Sequence, residues 1–104
     1  MTQEEYRAAY GLCKSNNDVL ALKNRVLTEN RLYGVHDIIE HSGANGTKTI
    51  LRIGRWELEW RTDNVMPDII YSGRLLTKKL TPKGAYHIVE AGQNQSVLIK
   101  KCED

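Results

Sequence analysis

Apolar positions along the chain change their period at Gly34, and that change predicts the architecture. Before it, Tyr6, Ala9, Tyr10 and Cys13 recur at i, i+3, i+4 and i+7, one stripe of a helix facing a core. Thr2 followed by Glu5 has the spacing of a capping box, in which hydroxyl and carboxylate each satisfy a free N–H at a helix start. Ser15, Asn16, Asn17 and Asp18 then interrupt the pattern, because short polar side chains compete for backbone hydrogen bonds. A second helix is predicted over residues 18–33, with Val19, Leu22 and Val26 on one face, widened by Leu20 and Leu27. Gly34 is its expected stop, and Arg31 suits the negative end of the helix dipole.

After Gly34 the period shortens toward two. Residues 35–41 read as a strand, followed by the loop Ser42-Gly43-Ala44-Asn45-Gly46-Thr47 and a returning strand over 48–53. Leu51 and Ile53 lie at odd positions but Trp56, Leu58 and Trp60 at even ones, so the parity shifts at Gly54. Either Gly54-Arg55 forms a tight type II′ turn or Gly54 marks a bulge in one long strand. Thr62-Asp63-Asn64 reads as a turn, and Pro67 delays the next strand to about Asp68. That strand runs through Ile69, Ile70 and Tyr71 to Ser72-Gly73, and residues 74–80 continue extended. Thr81-Pro82 has the form of an N-cap with proline at the first helical position, which predicts a short third helix near 82–91, closed by Gly92. A last strand is expected over 96–101. The fold class is therefore α+β: one domain over residues 1–104, with two N-terminal helices packed on an antiparallel sheet, a meander of four to five strands.

Composition narrows the function without naming it. The 104 residues suffice for one hydrophobic core, and apolar residues recur along their whole length. No apolar run approaches the roughly 18 residues that cross a bilayer, and the N-terminus lacks the basic start and apolar stretch of a signal peptide, so the expected address is the cytoplasm. In that compartment Cys13 and Cys102 are expected as free thiols rather than a bridge between the ends. The net charge is only +2, but residues 1–47 carry five Lys/Arg against six Asp/Glu, and residues 48–104 ten against seven. The basic surplus lies wholly in the strand-rich part.

Catalytic constellations are missing from the sequence. His36, Asp37, Glu40 and His41 stand close together but match neither H-E-x-x-H nor H-x-x-E-H, and on a strand the two histidines would point to opposite faces. No G-x-S-x-G elbow frames a nucleophile, Cys13 falls on the apolar stripe of the first helix, and the glycines never adopt a phosphate-binding spacing. Neither enzyme activity nor a metal or cofactor is expected. The tryptophans of Arg55-Trp56-Glu57-Leu58-Glu59-Trp60-Arg61 share a face with Leu58, which reads as a half-buried antiparallel strand under the helices.

The most informative stretch is Gly73 to Lys83, GRLLTKKLTPK. Arg74, Lys78, Lys79 and Lys83 occur there with no acidic residue between Asp68 and Glu90. On a strand, Arg74 and Lys78 share one face and Lys79 and Lys83 the other, unless the turn at Thr81-Pro82 brings Lys83 round. Such a group protects an edge strand against mispairing, or meets phosphates or the acidic face of a partner protein. The run Lys79-Leu80-Thr81-Pro82-Lys83-Gly84 resembles the stretch after the wing in winged-helix DNA-binding regulators, where a strand ends in a Leu-Thr-x-x-Gly-like step. The likeness covers about a dozen residues. The compact helix-turn-helix of that family, directly before its hairpin, has no counterpart here. The sequence thus points to a small non-catalytic binding protein, an inhibitor or adaptor acting through protein contacts. The alternative is a nucleic-acid-binding regulator using segment 73–83, and an uncovered edge strand would allow a homodimer.

Overall fold

The computed structural model describes residues 1–59, 64–84 and 88–102. Two helices, α1 (Gln3–Gly11) and α2 (Asn16–Asn30), precede five strands, β1 (Ile38–Ser42), β2 (Lys48–Leu58), β3 (Ile69–Leu76), β4 (Ile88–Gly92) and β5 (Ser96–Lys100). The class is α+β, as the change of period predicts. No helix among the described residues is long and apolar enough to cross a membrane.

The capping box opens α1: Thr2 Oγ1 accepts the Glu5 N–H at 3.1 Å and the Glu5 carboxylate accepts the Thr2 N–H at 3.2 Å. Ser15 caps α2 by accepting the Asp18 N–H at 3.2 Å, so this helix begins two residues earlier than its apolar pattern suggests. It also ends earlier, at Asn30, with Arg31 already extended. Gly34 is not its stop. Residues 31–34 form an irregular link instead and carry Tyr33 onto the core, its ring centroid 5.5 Å from that of Tyr71.

The strand order is β4-β3-β2-β1-β5, every pair antiparallel. The first four strands form the expected meander, and the fifth crosses to the free edge of β1. Yet only Gln93–Gln95, a 3₁₀ turn, separate β4 from β5. The links from Gly92 to Ser96 reach at most about 14 Å. A flat sheet would set its edge strands roughly 19 Å apart. The sheet must therefore curl, and the Ser96 hydroxyl donates to the Gly92 carbonyl at 2.7 Å across the closing gap. The short third helical element is this 3₁₀ turn. Expected near 82–91, it falls later because Ile88-Val89, β-branched and poor in helices, belong to β4, while Pro82 bridges to Leu76. Residues 85–87 of that expectation lie outside the described residues.

Gly54 proves to be a bulge. β2 is one strand of 11 residues whose pairing with β3 slips between Ile53 and Arg55, which moves the apolar set from odd to even positions without a turn. The concave side of the curl holds Ile39, Leu51, Ile53, Ile69, Tyr71 and Ala91, all buried, with Leu27, Tyr33, Trp56 and Leu58 packed against them. Trp56 is half-buried, as its strand pattern predicts, and the Arg31 guanidinium lies 3.9 Å from its ring centroid. Trp60 lies outside the described residues. Leu58 also touches the helical cluster of Tyr6, Leu22 and Val26, so the helical pair docks on the sheet through one shared side chain as well as through Leu27 and Tyr33.

Gln93 fastens this junction. It accepts from the Tyr71 hydroxyl and from the Leu32 N–H at 3.0 Å, and it donates to the Asn30 carbonyl at 2.8 Å. Burial raises the Tyr71 phenol above its ordinary range, against the Tyr33 and Leu32 N–H groups that favour the ionised form, so it stays protonated and able to donate.

Candidate functional site

With the apolar side chains of β2 and β3 turned inward, the alternate ones form the convex face, and the charges follow the pleat. Arg52 lies between Leu51 and Ile53, both fully buried, and therefore points outward. The register then places Lys100, Ile38, Arg52, Arg74 and Ile88 in one rung across β5, β1, β2, β3 and β4.

The extended run expected through Leu80 ends at Leu76. Residues 77–81 turn back, because Thr77 bonds at both ends: its N–H donates to the Thr81 carbonyl at 2.8 Å, its carbonyl accepts from Leu80 at 2.9 Å, and its hydroxyl meets that of Thr81 at 2.8 Å. Lys83 N–H returns to the Leu75 carbonyl at 3.0 Å. This fixed turn holds Leu80 at a φ of 64°, a left-handed conformation rare for leucine.

The result is a cleft of about 670 Å³ on the convex side. Ile50, Leu76, Leu80 and Ile99 supply apolar lining, and Lys48, Lys78 and Lys83 stand around it with Glu40. Lys48 is engaged, its Nζ donating to Ser42 Oγ at 2.9 Å and lying 3.8 Å from Glu40. Lys78 and Lys83 take part in no ion pair between described residues. Of the four cations singled out in segment 73–83, the turn thus brings Lys78 and Lys83 to one cleft. Arg74 stays on the strand, donating to the Gly84 carbonyl at 3.5 Å, and Lys79 does not line the cleft. Lys48 escapes sequence reasoning, since its place beside Lys78 depends on the pairing of β2 with β3.

Edge protection does not account for Arg74. Over Ile70–Arg74, β3 is paired on both sides, with β2 and with β4, so Arg74 is a charge on an internal strand. The edge that is least guarded is β5, where Val97, Leu98 and Ile99 are 58%, 46% and 43% exposed.

The acidic and histidine residues of 36–41 separate. His36 precedes β1 in a turn, Asp37 is buried, and His41 Nδ1 lies 3.3 Å from Ser96 Oγ. Among the described residues no three His, Cys, Asp or Glu side chains form a metal-binding group, and both cysteines are unbridged. Asp37 is instead a structural anchor: one carboxylate oxygen accepts the Gly34 N–H at 2.9 Å and the other the Cys102 N–H at 2.7 Å. Burial pushes its carboxyl up, but those two N–H groups and the Lys101 charge outweigh it and hold the pKa below the ordinary value.

Compared with known proteins, the chain matches no family model, no curated protein and no solved structure, so its function has to be argued from its own residues.

Proposed function

We propose that this is a non-catalytic binding protein, an inhibitor or adaptor, which engages an acidic segment of another protein on the convex face of its sheet. The cleft between β2 and the 77–83 turn carries this reading: apolar side chains line it, and Lys78 and Lys83 stand beside them. Apolar anchors give affinity, while a basic rim selects a complementary partner and speeds its approach. The Thr77–Thr81 bonds add to the case, since a leucine held in a strained conformation by redundant contacts is a feature found at binding sites.

Nucleic acid is the second reading, favoured by the same basic surplus. Against it, the described aromatic contacts, Trp56 with Arg31, Tyr33 with Tyr71 and Tyr6 with Tyr10, belong to the concave side and the helical pair, away from the lysines that would meet phosphates. A homodimer through β5 is favoured by its exposed apolar edge.

Capture from lysate with and without nuclease, repeated with Lys78→Glu/Lys83→Glu, tests the proposal. The expected result is a protein band that survives nuclease and disappears with the double variant. A band unaffected by charge reversal refutes the cleft, and nucleic acid recovered without protein moves the case to the second reading.

A further inference from the structure

A second concavity lies on the convex face, away from the 77–83 turn. It is an open cleft of about 480 Å³ lined by His36, Ile38, Arg52, Lys100, Lys101 and Cys102. Its cations, Arg52, Lys100 and Lys101, come from the middle of β2 and from β5 with its extension, and His36 joins them from the turn before β1. The register explains their meeting. Ile38 pairs with Arg52 on one side and Lys100 on the other, so the two cations flank one buried isoleucine. Their Cα atoms stand two strand spacings apart, roughly 10 Å, which two long side chains can close around a small ligand.

Hydrogen bonds around the cleft hold its shape. Asp37 ties Cys102 N–H at 2.7 Å and Gly34 N–H at 2.9 Å, which fixes the extension after β5 against the turn before β1. His36 sits at a φ of 71°, a left-handed conformation outside glycine's usual role, and its N–H donates to the Ile53 carbonyl at 2.8 Å. A strained residue therefore stands at the rim of a basic concavity. Arg52 also faces Arg74 directly across β2 and β3. Neither Arg52, Lys100 nor Lys101 forms a salt bridge between described residues.

We propose that the Arg52–Lys100 cleft binds the phosphate group of a small phosphorylated molecule. Guanidinium nitrogens match the oxygens of a phosphate in a bidentate arrangement, and the neighbouring ammonium groups supply the field that favours a multiply charged oxyanion over chloride. This site is separate from the Lys78–Lys83 cleft, so either can fail without the other.

Inorganic pyrophosphate is the probe, titrated into the full chain and followed by backbone amide NMR, with sodium chloride at matched ionic strength beside it. Saturable shifts confined to the amides of residues 36–38, 52 and 100–102 are expected. Arg52→Gln/Lys100→Gln should weaken the apparent affinity at least tenfold, whereas Arg7→Gln/Lys14→Gln, the same charge change on exposed positions of the helical part, should alter it less than twofold. Shifts that chloride reproduces, or that both double variants reduce equally, overturn the proposal as general screening. A short DNA oligonucleotide that perturbs the whole convex face while pyrophosphate leaves it unmoved overturns it in favour of a nucleic-acid surface.

Discussion

Gly73→Ala should be among the most damaging single-methyl additions in the chain. A Cβ at Gly73 would lie 1.8 Å from the Arg52 carbonyl oxygen, 2.7 Å from the Arg52 carbonyl carbon and 3.0 Å from Ile53 Cα. All are backbone atoms of β2, so no change of rotamer relieves the overlap. Restoring even a tight 3.0 Å approach to the oxygen parts the strands by about 1.2 Å at the centre of the sheet. Ladder bonds near 2.9 Å then stretch past about 4 Å and cease to be hydrogen bonds. Two buried backbone groups left without partners cost roughly 1–3 kcal/mol each, which puts the whole loss at about 3–5 kcal/mol. That is a large share of the roughly 5–15 kcal/mol that holds a domain of this size folded, and it corresponds to a fall in Tm on the order of 15–30 °C. Gly54→Ala is the matched control. Its Cβ would meet only the Ser72 carbonyl oxygen at 3.6 Å, an ordinary contact, and its φ is not positive, so a change within about 1 kcal/mol is expected. Urea unfolding followed by far-ultraviolet circular dichroism measures both, provided the denaturant slope is preserved. If Gly73→Ala costs less than about 1 kcal/mol, or if the two variants cost the same, the register of β2 against β3 described above is wrong.

Tyr71→Phe removes the hydroxyl that donates to Gln93 and accepts from Tyr33 N–H, and should cost about 1–3 kcal/mol in the same assay. Because the pKa of Asp37 lies lower in the folded chain than the unfolded value, its charge contributes stability that is present at neutral pH and is lost as pH falls through the folded pKa. Unfolding free energy measured from pH 7 down to pH 2 should therefore fall less steeply in Asp37→Asn than in the parent; parallel curves would remove Asp37 from the acid limb. His36→Gly relieves a left-handed histidine with an exposed side chain and should leave stability unchanged or raise it by up to roughly 1 kcal/mol, whereas His36→Val should lower it. Sedimentation over a wide concentration range should show any self-association of the parent reduced by Leu98→Lys, and association that Leu98→Lys leaves intact would exclude the β5 edge.

Local chemistry was readable from the sequence, and long-range register was not. The capping box at Thr2, the helical stripe of Tyr6 and the half-buried face of Trp56 each follow from residues within a few positions of one another, and each is present. Gly34 misled because its local signal for ending a helix competed with a tertiary demand, the irregular link over residues 31–34 that brings Tyr33 to Tyr71. The shift of parity at Gly54 was visible, but choosing the bulge required knowing that Arg55 pairs with Ser72. Gly73, whose missing side chain matters more, gave no signal at all, because the atoms it must clear belong to Arg52 and Ile53 on another strand. The two candidate clefts follow the same rule. Lys83 could be foreseen to swing round at Thr81-Pro82, while Lys48 and Lys100 join their clefts through pairings that span tens of residues.

The distribution of charge across the curl argues that the convex face is kept for something other than stability. On the concave side the facing pairs Ile39 with Leu51, Leu58 with Ile69 and Tyr71 with Ala91 are all apolar and contribute packing. On the convex side the central strand β2 presents Arg52 directly to Arg74 of β3, where an opposite charge or a β-branched pair would stabilise the sheet. Guarding against mispairing cannot explain two arginines on internal strands, since the true edge at β5 is left apolar. Arg52 and Arg74 on internal strands, with Lys78, Lys83, Lys100 and Lys101 on the same side of the molecule, suit that side to the anionic partners proposed above. The two sides of one sheet thus differ: apolar residues turned inward hold the curl closed, and the alternate residues of the same strands carry the charge outward.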